Sequence, residues 1–434
     1  MNLMIRISPL RTGIVLALVV GMAVPVMGQE VAREVGLEQA LEMARRNSPS
    51  LAQSASALEI AQSGQLSALG GFLPSLNLGY SYNNSSSGRL DPTGQSITTT
   101  NYSAQLTGGI DIFRGLRRFS DLRGAKLGVE ASSARYREAQ YQTAEAVKVS
   151  YYNAVARREL MRVEGDRVRR QEDQLSFVNQ QLDLGRATRS DVLRSQVDLN
   201  NARVALLNAE NAARASTYTL AEAVGVTEPL VPEAGADLSG TDVLISDNEI
   251  LSMALTGAPG LVSARADAAA SQASVASARS AYLPTLRLGG GWAWSNSEFP
   301  PQNRSWSVSL SGSLPIFDGF SRENQLYQAQ ARRDQAYAGE RAAELGLRKN
   351  IDAALGTIAA AQASIGLAEQ TVELSDEDLR VSQERYRLGL ATILDLQSAQ
   401  ITLRQAEVDL IQRQFDYQIG LARLEALLGT DLRN

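Results

Sequence analysis

The stretch "RYRLGLATILDL", residues 385–396, lies inside a long apolar, proline-free region that otherwise reads as helix. Gly389 and Thr392 interrupt it, and helical periodicity then resumes. A near copy, "QLDLGRATRSDVL", occupies residues 181–193. In both, a Gly stands where a helix can end in left-handed backbone, followed by Thr-x-x-Asp, the pattern of a capping box that starts a helix. Gly185 with Thr188 and Asp191, and Gly389 with Thr392 and Asp395, therefore predict two helical hairpins with equivalent turns.

The repetition extends outward from these turns. "FLPSLNLGYSY" from Phe72 matches "YLPTLRLGGGW" from Tyr282, and "IDIFRG" around Phe113 matches "LPIFDG" around Phe317. No proline occurs from Thr93 to Glu228 or from Ile316 to Asn434. Proline costs about 3 kcal/mol in a helix interior, so these voids permit very long helices. Each half is expected to run as a short helix (37–47; 249–257), a longer one (50–69; 260–281), two strands, a very long helix (117–184; 319–388), the Gly turn, and a last helix (189–224; 393–428). The repeats are 29–225, with a β-hairpin over 72–113 and a helical hairpin over 117–224, and 247–434, with a β-hairpin over 283–317 and a helical hairpin over 319–428. Segment 226–246, rich in Pro, Gly and acids, reads as a linker.

Composition narrows the chemistry. The 434 residues include no Cys and no His, which removes thiol and disulfide chemistry, His-based acid–base catalysis and nearly all zinc sites. No nucleophile–base constellation, phosphate loop or metal cluster stands out, so neither an enzyme nor a cofactor is expected. A formal net charge of −5 does not suit nucleic acid. Residues 1–28 read as a secretory signal peptide: Arg6 and Arg11 precede an apolar core from Ile14 to Val20, and small residues lead to a cut after Gly28. That core is short for a retained membrane span.

The strands alternate. In "NRSWSVSLSGSLPIF" (303–317), Trp306, Val308, Leu310, Leu314 and Ile316 face one way and five serines the other. Leu76, Leu78, Tyr80 and Tyr82 form the apolar row of the first strand. Tyr102, Leu106, Ile110 and Ile112 form that of the second, and Leu286, Leu288, Trp292 and Trp294 that of the third. Strands of about ten residues, with every Trp in a strand, suit a membrane barrel whose interface aromatics are Tyr80, Tyr82, Tyr102, Trp292, Trp294 and Trp306. Four strands cannot close a barrel that spans lipid, so several chains must pool theirs.

The last helix carries two apolar heptad rows, Leu394 to Ala422 and Leu396 to Leu424, about 200° apart. The first half repeats the second row as Val192, Leu199, Leu206, Ala213 and Leu220. Its other row, Val197, Val204 and Tyr218, is broken by Asn211. A helix with opposed seams has a neighbour on each side, as in a curved wall. An expected helix of ~100 Å fits a duct crossing a periplasm.

These features together resemble the TolC family of outer-membrane channels over nearly all of the chain after residue 28. The resemblance rests on the duplicated helix–helix–strand–strand–helix–helix order, the "FLPSLNLGYSY"/"YLPTLRLGGGW" pair, "LPIFDG" and the "RYRLGLAT" tip. It implies a mostly helical, internally duplicated chain whose homotrimer joins a twelve-strand outer-membrane barrel to a twelve-helix periplasmic barrel. It further implies a passive exit duct for small molecules or secreted proteins. The implied partners are outer-membrane lipid, a periplasmic adaptor and, indirectly, an inner-membrane pump of RND, ABC or MFS type. Carried over by position, Leu184, Gly185 and Thr188 and Leu388, Gly389 and Thr392 are the adaptor-docking tips. Asp191, Asp395 and Tyr386 are the entrance gate. Two family features are missing: the second acidic position of the entrance ring is Ser398, and the Arg that helps lock the closed entrance is Ala391. Capping alone also accounts for both Asp, and the two roles are compatible. The alternative is a structural or adaptor-like periplasmic coiled-coil protein without a membrane barrel.

Overall fold

The computed structural model describes residues 33–90, 96–236, 238 and 247–432. The expected signal peptide, residues 1–28, lies outside them. The first half contains β1 (Arg33–Val35), α1 (Leu37–Asn47), α2 (Pro49–Gly70), β2 (Ser75–Leu90), β3 (Ser96–Arg114), α3 (Arg117–Asp183) and α4 (Arg189–Val224). After β4 (Leu230–Pro232), the second contains α5 (Asp247–Gly257), α6 (Pro259–Arg279) with a 3-10 turn at Ser280–Tyr282, β5 (Thr285–Asn296), β6 (Asn303–Ser313), α7 (Ser321–Arg387) and α8 (Ile393–Leu428).

Local chemistry explains most boundaries. Pro49 and Pro259 open α2 and α6 at the first helical turn, where a missing N–H leaves nothing unpaired. Each strand-to-helix joint is a two-residue left-handed turn, Gly115-Leu116 (φ 58 and 67) and Gly319-Phe320 (φ 67 and 66). A side chain at 115 would place Cβ 2.4 Å from the Ser280 carbonyl oxygen, so only Gly fits. An arginine then clamps each joint. Arg118 donates to the carbonyls of Gly71 (3.3 Å) and Ile112 (3.0 Å) and lies over the Phe72 ring. Arg322 donates to Pro315 (2.9 Å) and Ile316 (3.1 Å) and lies over Tyr282.

β2, β3, β5 and β6 form one antiparallel sheet in that order. Its register aligns the four apolar rows on one face: Leu78 opposes Leu106, Leu106 opposes Trp292, and Trp292 opposes Trp306. Two details differ from the alternation expected from sequence. β6 ends at Ser313, because Pro315 has no N–H to donate, so Leu314 and Ile316 lie outside the sheet. A register shift between Asp111 and Phe113 sets Phe113, rather than Ile112, opposite Leu286.

The helices pack side by side. α3 contacts α2, α4, α6 and α8, while α7 contacts α6 and α8. α2 and α4 meet end to end, since a Cβ on Gly225 would sit 2.6 Å from the Asn47 carbonyl oxygen. α6 and α8 do the same at Gly429 and Pro259. The result is four columns, in the order α2/α4, α3, α6/α8, α7. The largest core lies at mid-height, where Val147, Tyr151 and Val155 of α3 meet Leu220 and Val224 of α4, Leu41 of α1 and Leu230 of β4. A second joins Ile250 and Ala254 of α5 to Ile351 of α7 and Leu424 of α8. The segment read as a linker, 226–246, contains β4, paired in parallel with β1. Arg158 holds it to α3 by donating to the carbonyls of Pro232, Glu233 and Ala236.

Candidate functional site

The two helical turns close on identical bonding. Gly185 N–H donates to Leu182 and Arg186 N–H to Gln181 at 2.9 and 2.8 Å; Gly389 and Leu390 repeat this onto Tyr386 and Arg385 at 3.0 and 2.8 Å. Both glycines are left-handed (φ 66 and 72), completing a Schellman end that satisfies the last carbonyls. The next helix starts at once. Thr188 N–H donates to Asp191 Oδ2 at 2.9 Å and Asp191 N–H to Thr188 Oγ1 at 3.2 Å. Thr392 and Asp395 do likewise at 2.8 and 3.3 Å. These bonds hold both carboxyls below the usual Asp range: the Thr188 hydroxyl leads for Asp191 and the Thr392 N–H for Asp395. Both aspartates are therefore ionised at neutral pH. Leu184 and Leu388 point outward, 67% and 71% exposed, and Leu390 joins them at 67%. Leu390 had not been singled out from sequence. The first tip has Arg186 in its place, so one tip is more apolar than the other.

Above the tips, the two hairpins are joined within the chain. Tyr386 is half-buried and meets Phe177 of α3 edge to face, centroids 5.8 Å apart. Burial pushes its hydroxyl pKa up, and the Asp191 charge adds to this. Gln171 donates to Gln400 at 2.8 Å, Gln397 to Asp198, and Arg404 to Glu164 at 2.7 Å. A polar cavity of about 160 Å³ lies between, lined among others by Arg170, Gln174, Phe177, Tyr386, Arg387 and Gln400. Phe177 was not among the residues picked out from sequence; it lies some 200 residues from Tyr386, and no local signal marks the pair.

At the far end, the predicted aromatics share one face of the sheet. Tyr82 opposes Tyr102, with ring centroids 5.0 Å apart, and Trp292 opposes Trp306. Tyr80 lies two residues from Tyr82, and Trp294 two from Trp292. Tyr80, Tyr82, Trp292 and Trp306 are exposed, while Tyr102 and Trp294 are half-buried. Phe299, in the β5–β6 connection, adds its ring against Tyr80 and Tyr102. A second aromatic group, not foreseen, marks the helix end of the sheet. Phe72 packs on Phe119 at 5.3 Å and Phe317 on Phe320 at 5.7 Å, with Phe317 75% exposed. About eight residues of β5 separate the two bands, or ~25 Å along the strand. Between them Leu78 is 78% exposed and Val308 69%.

A family model for outer membrane efflux proteins matches residues 40–226 and 250–430. The pyoverdine export outer membrane protein OpmQ of Pseudomonas putida is 26% identical over 406 residues, spanning 91% of this chain and 86% of that one. The outer membrane protein TolC of Escherichia coli strain K12 is 23% identical over 418 residues, spanning 91% of this chain and 82% of the other. A crystal structure of a membrane protein from Pseudomonas aeruginosa shares the fold, with a TM-score of 0.81 at 22% identity, covering 92% of this chain and 91% of that one.

Proposed function

The chain belongs to the outer membrane efflux protein family, and from that premise we propose that it is the passive exit duct of a tripartite efflux or type I secretion system. It is a protein of the Gram-negative outer membrane that extends into the periplasm. The observation that carries the duct is the four-stranded sheet: its apolar face is uncovered, and among the described residues its outer strands β2 and β6 each have a strand neighbour on one side only. In hydrocarbon, every unpaired backbone group costs several kcal/mol. Three copies pool twelve strands into a closed barrel, with the Ser, Asn and Thr face turned to a wet lumen. The same three copies set twelve helical columns below it. The alternative, a periplasmic coiled-coil protein without a barrel, leaves the exposed apolar face without a medium.

The wall has no motor, so energy comes from an inner-membrane pump of RND, ABC or MFS type, linked through a periplasmic adaptor. The adaptor grips the tips, where Leu184 and Leu388 are exposed apolar side chains on turns fixed by Gly185 and Thr188 and by Gly389 and Thr392. Asp191, Asp395 and Tyr386 form the entrance. The likeness to a pyoverdine export protein supports a small-molecule cargo. The test substitutes Leu388→Asp and Gly389→Val and measures both cargo export and heat-modifiable migration in outer-membrane fractions. Export should be lost while the oligomer persists. Full export through both variants sinks the docking assignment, and recovery of the unaltered chain in the soluble periplasmic fraction sinks the duct.

A further inference from the structure

The polar face of the sheet is almost free of charge. Its described side chains on β2 and β6 are Ser and Asn, with one Gly, and β3 and β5 add Thr, Gln, Ala and further Gly. Three charged residues then meet at the helix end of β3 and β5. Arg287 of β5 lies opposite Asp111 of β3 and donates to its Oδ1 at 3.3 Å. Arg114 lies opposite Thr285, on the same face as Arg287, and brings Nη1 within 3.5 Å of Asp111 Oδ2. The Arg287 guanidinium lies along β3: a Cβ on Gly109 would sit 2.9 Å from its Nη2 and 3.3 Å from its Nε. The two arginine side chains are 57% and 44% exposed, and the aspartate that holds them 22%. The cations therefore face solvent while their shared anion is largely covered.

Two cations against one anion leave each chain a net positive charge at this height. The repeated architecture does not require it. The internal repeat sets Asn77 at the position matching Arg287, and Pro315 and Asp318 at those matching Asp111 and Arg114. Strands β2 and β6 join the same sheet without such a cluster. One Arg on Asp111 would suffice to staple β3 to β5 beside the register shift between Asp111 and Phe113, and the second Arg adds charge beyond that need. The cluster also stands far from the aspartates of the helical tips. α3 has 67 residues, ~100 Å of helix, which is about ten Debye lengths at 0.1 M salt. The field of one group is thus screened from the other, and each acts on what passes it.

We propose that Arg287 and Arg114, held by Asp111, form a basic ring at the helix end of the barrel lumen that favours anionic permeants on the exit side of the duct. The proposal rests on the closed barrel argued above, in which three copies bring the three clusters to one height. Guanidinium groups pair with carboxylate, phosphate and sulfonate oxygens, and the attraction scales with the charge of the permeant, so multivalent anions feel the ring most. The probe is pyrophosphate, added from the barrel side to the reconstituted full chain in a planar bilayer at 0.1 M KCl. It should reduce the potassium current of the unaltered channel. Arg287→Gln with Arg114→Gln should weaken that block about tenfold, and Arg287→Lys should keep most of it. Asp111→Asn, which raises the net charge, should strengthen it several-fold. A purely structural clamp predicts the same direction for the Arg→Gln pair and for Asp111→Asn, because each breaks the same contacts. Block that is absent from the unaltered channel, unchanged in the Gln pair, or not strengthened by Asp111→Asn overturns the ring and leaves the duct standing. If the Gln pair does not assemble, Asp111→Asn alone decides by that sign. An unaltered chain that forms no conducting channel overturns the duct and the ring with it.

Discussion

At the scale of single residues, Asp191 and Asp395 cap their helices, and the proposed entrance gives the same atoms a second duty. Each accepts from a Thr N–H and hydroxyl through Oδ2, and that bonding holds the carboxyl below the usual Asp range. Because both pKa values are depressed, the capping contribution is present above the unfolded Asp value, about 3.9, and is lost only as pH falls through the lower folded value. In the proposed trimer, six such charges would ring the entrance and attract cations. Asp191→Ala with Asp395→Ala should therefore shift the reversal potential of single channels toward zero under a salt gradient. The unaltered channel should keep its cation preference below the pH at which an ordinary Asp protonates. An unchanged reversal potential in the double variant leaves the aspartates with capping alone.

At the scale of elements, what sequence could reveal depended on how local the signal was. The ends of α3, α4, α7 and α8 follow from Gly, Thr-x-x-Asp and the long proline voids, and lie within two residues of their expected places. The bulge after Asp111, the β1–β4 pair and the Phe317–Phe320 contact depend on partners or on backbone geometry that no short pattern records. The furthest such case is Lys148 of α3 and Glu425 of α8, 277 residues apart and bonded at 2.6 Å with side chains only 8% and 4% exposed. Neither stood out in the sequence, and each is costly to bury alone. Lys148→Met should destabilise the detergent-extracted protein by about 3–5 kcal/mol, whereas Lys148→Met with Glu425→Leu should recover most of that loss. Denaturant midpoints of the two variants decide it: equal losses would mean that the ion pair does not couple α3 to α8.

At the scale of the whole molecule, one chain is an unfinished object. The apolar heptad rows at its two edges, the unpaired edges of β2 and β6, and the bare apolar face of the sheet each call for something outside the chain. On the proposed reading, a further copy answers the first two and lipid the third. This assignment makes neighbouring residues of one strand behave differently, although both are exposed in the single chain. Val308 lies on the apolar face, between the two aromatic bands, and Ser309 on the polar face beside it. An arginine facing the bilayer midplane costs about 2–4 kcal/mol, and one facing a wet lumen far less. Val308→Arg should therefore deplete the heat-modifiable species from the outer membrane, while Ser309→Arg should assemble normally and alter only conductance. If both variants assemble equally well, the sheet does not stand in lipid as read here, and if Ser309→Arg alone is lost, its two faces are assigned the wrong way round.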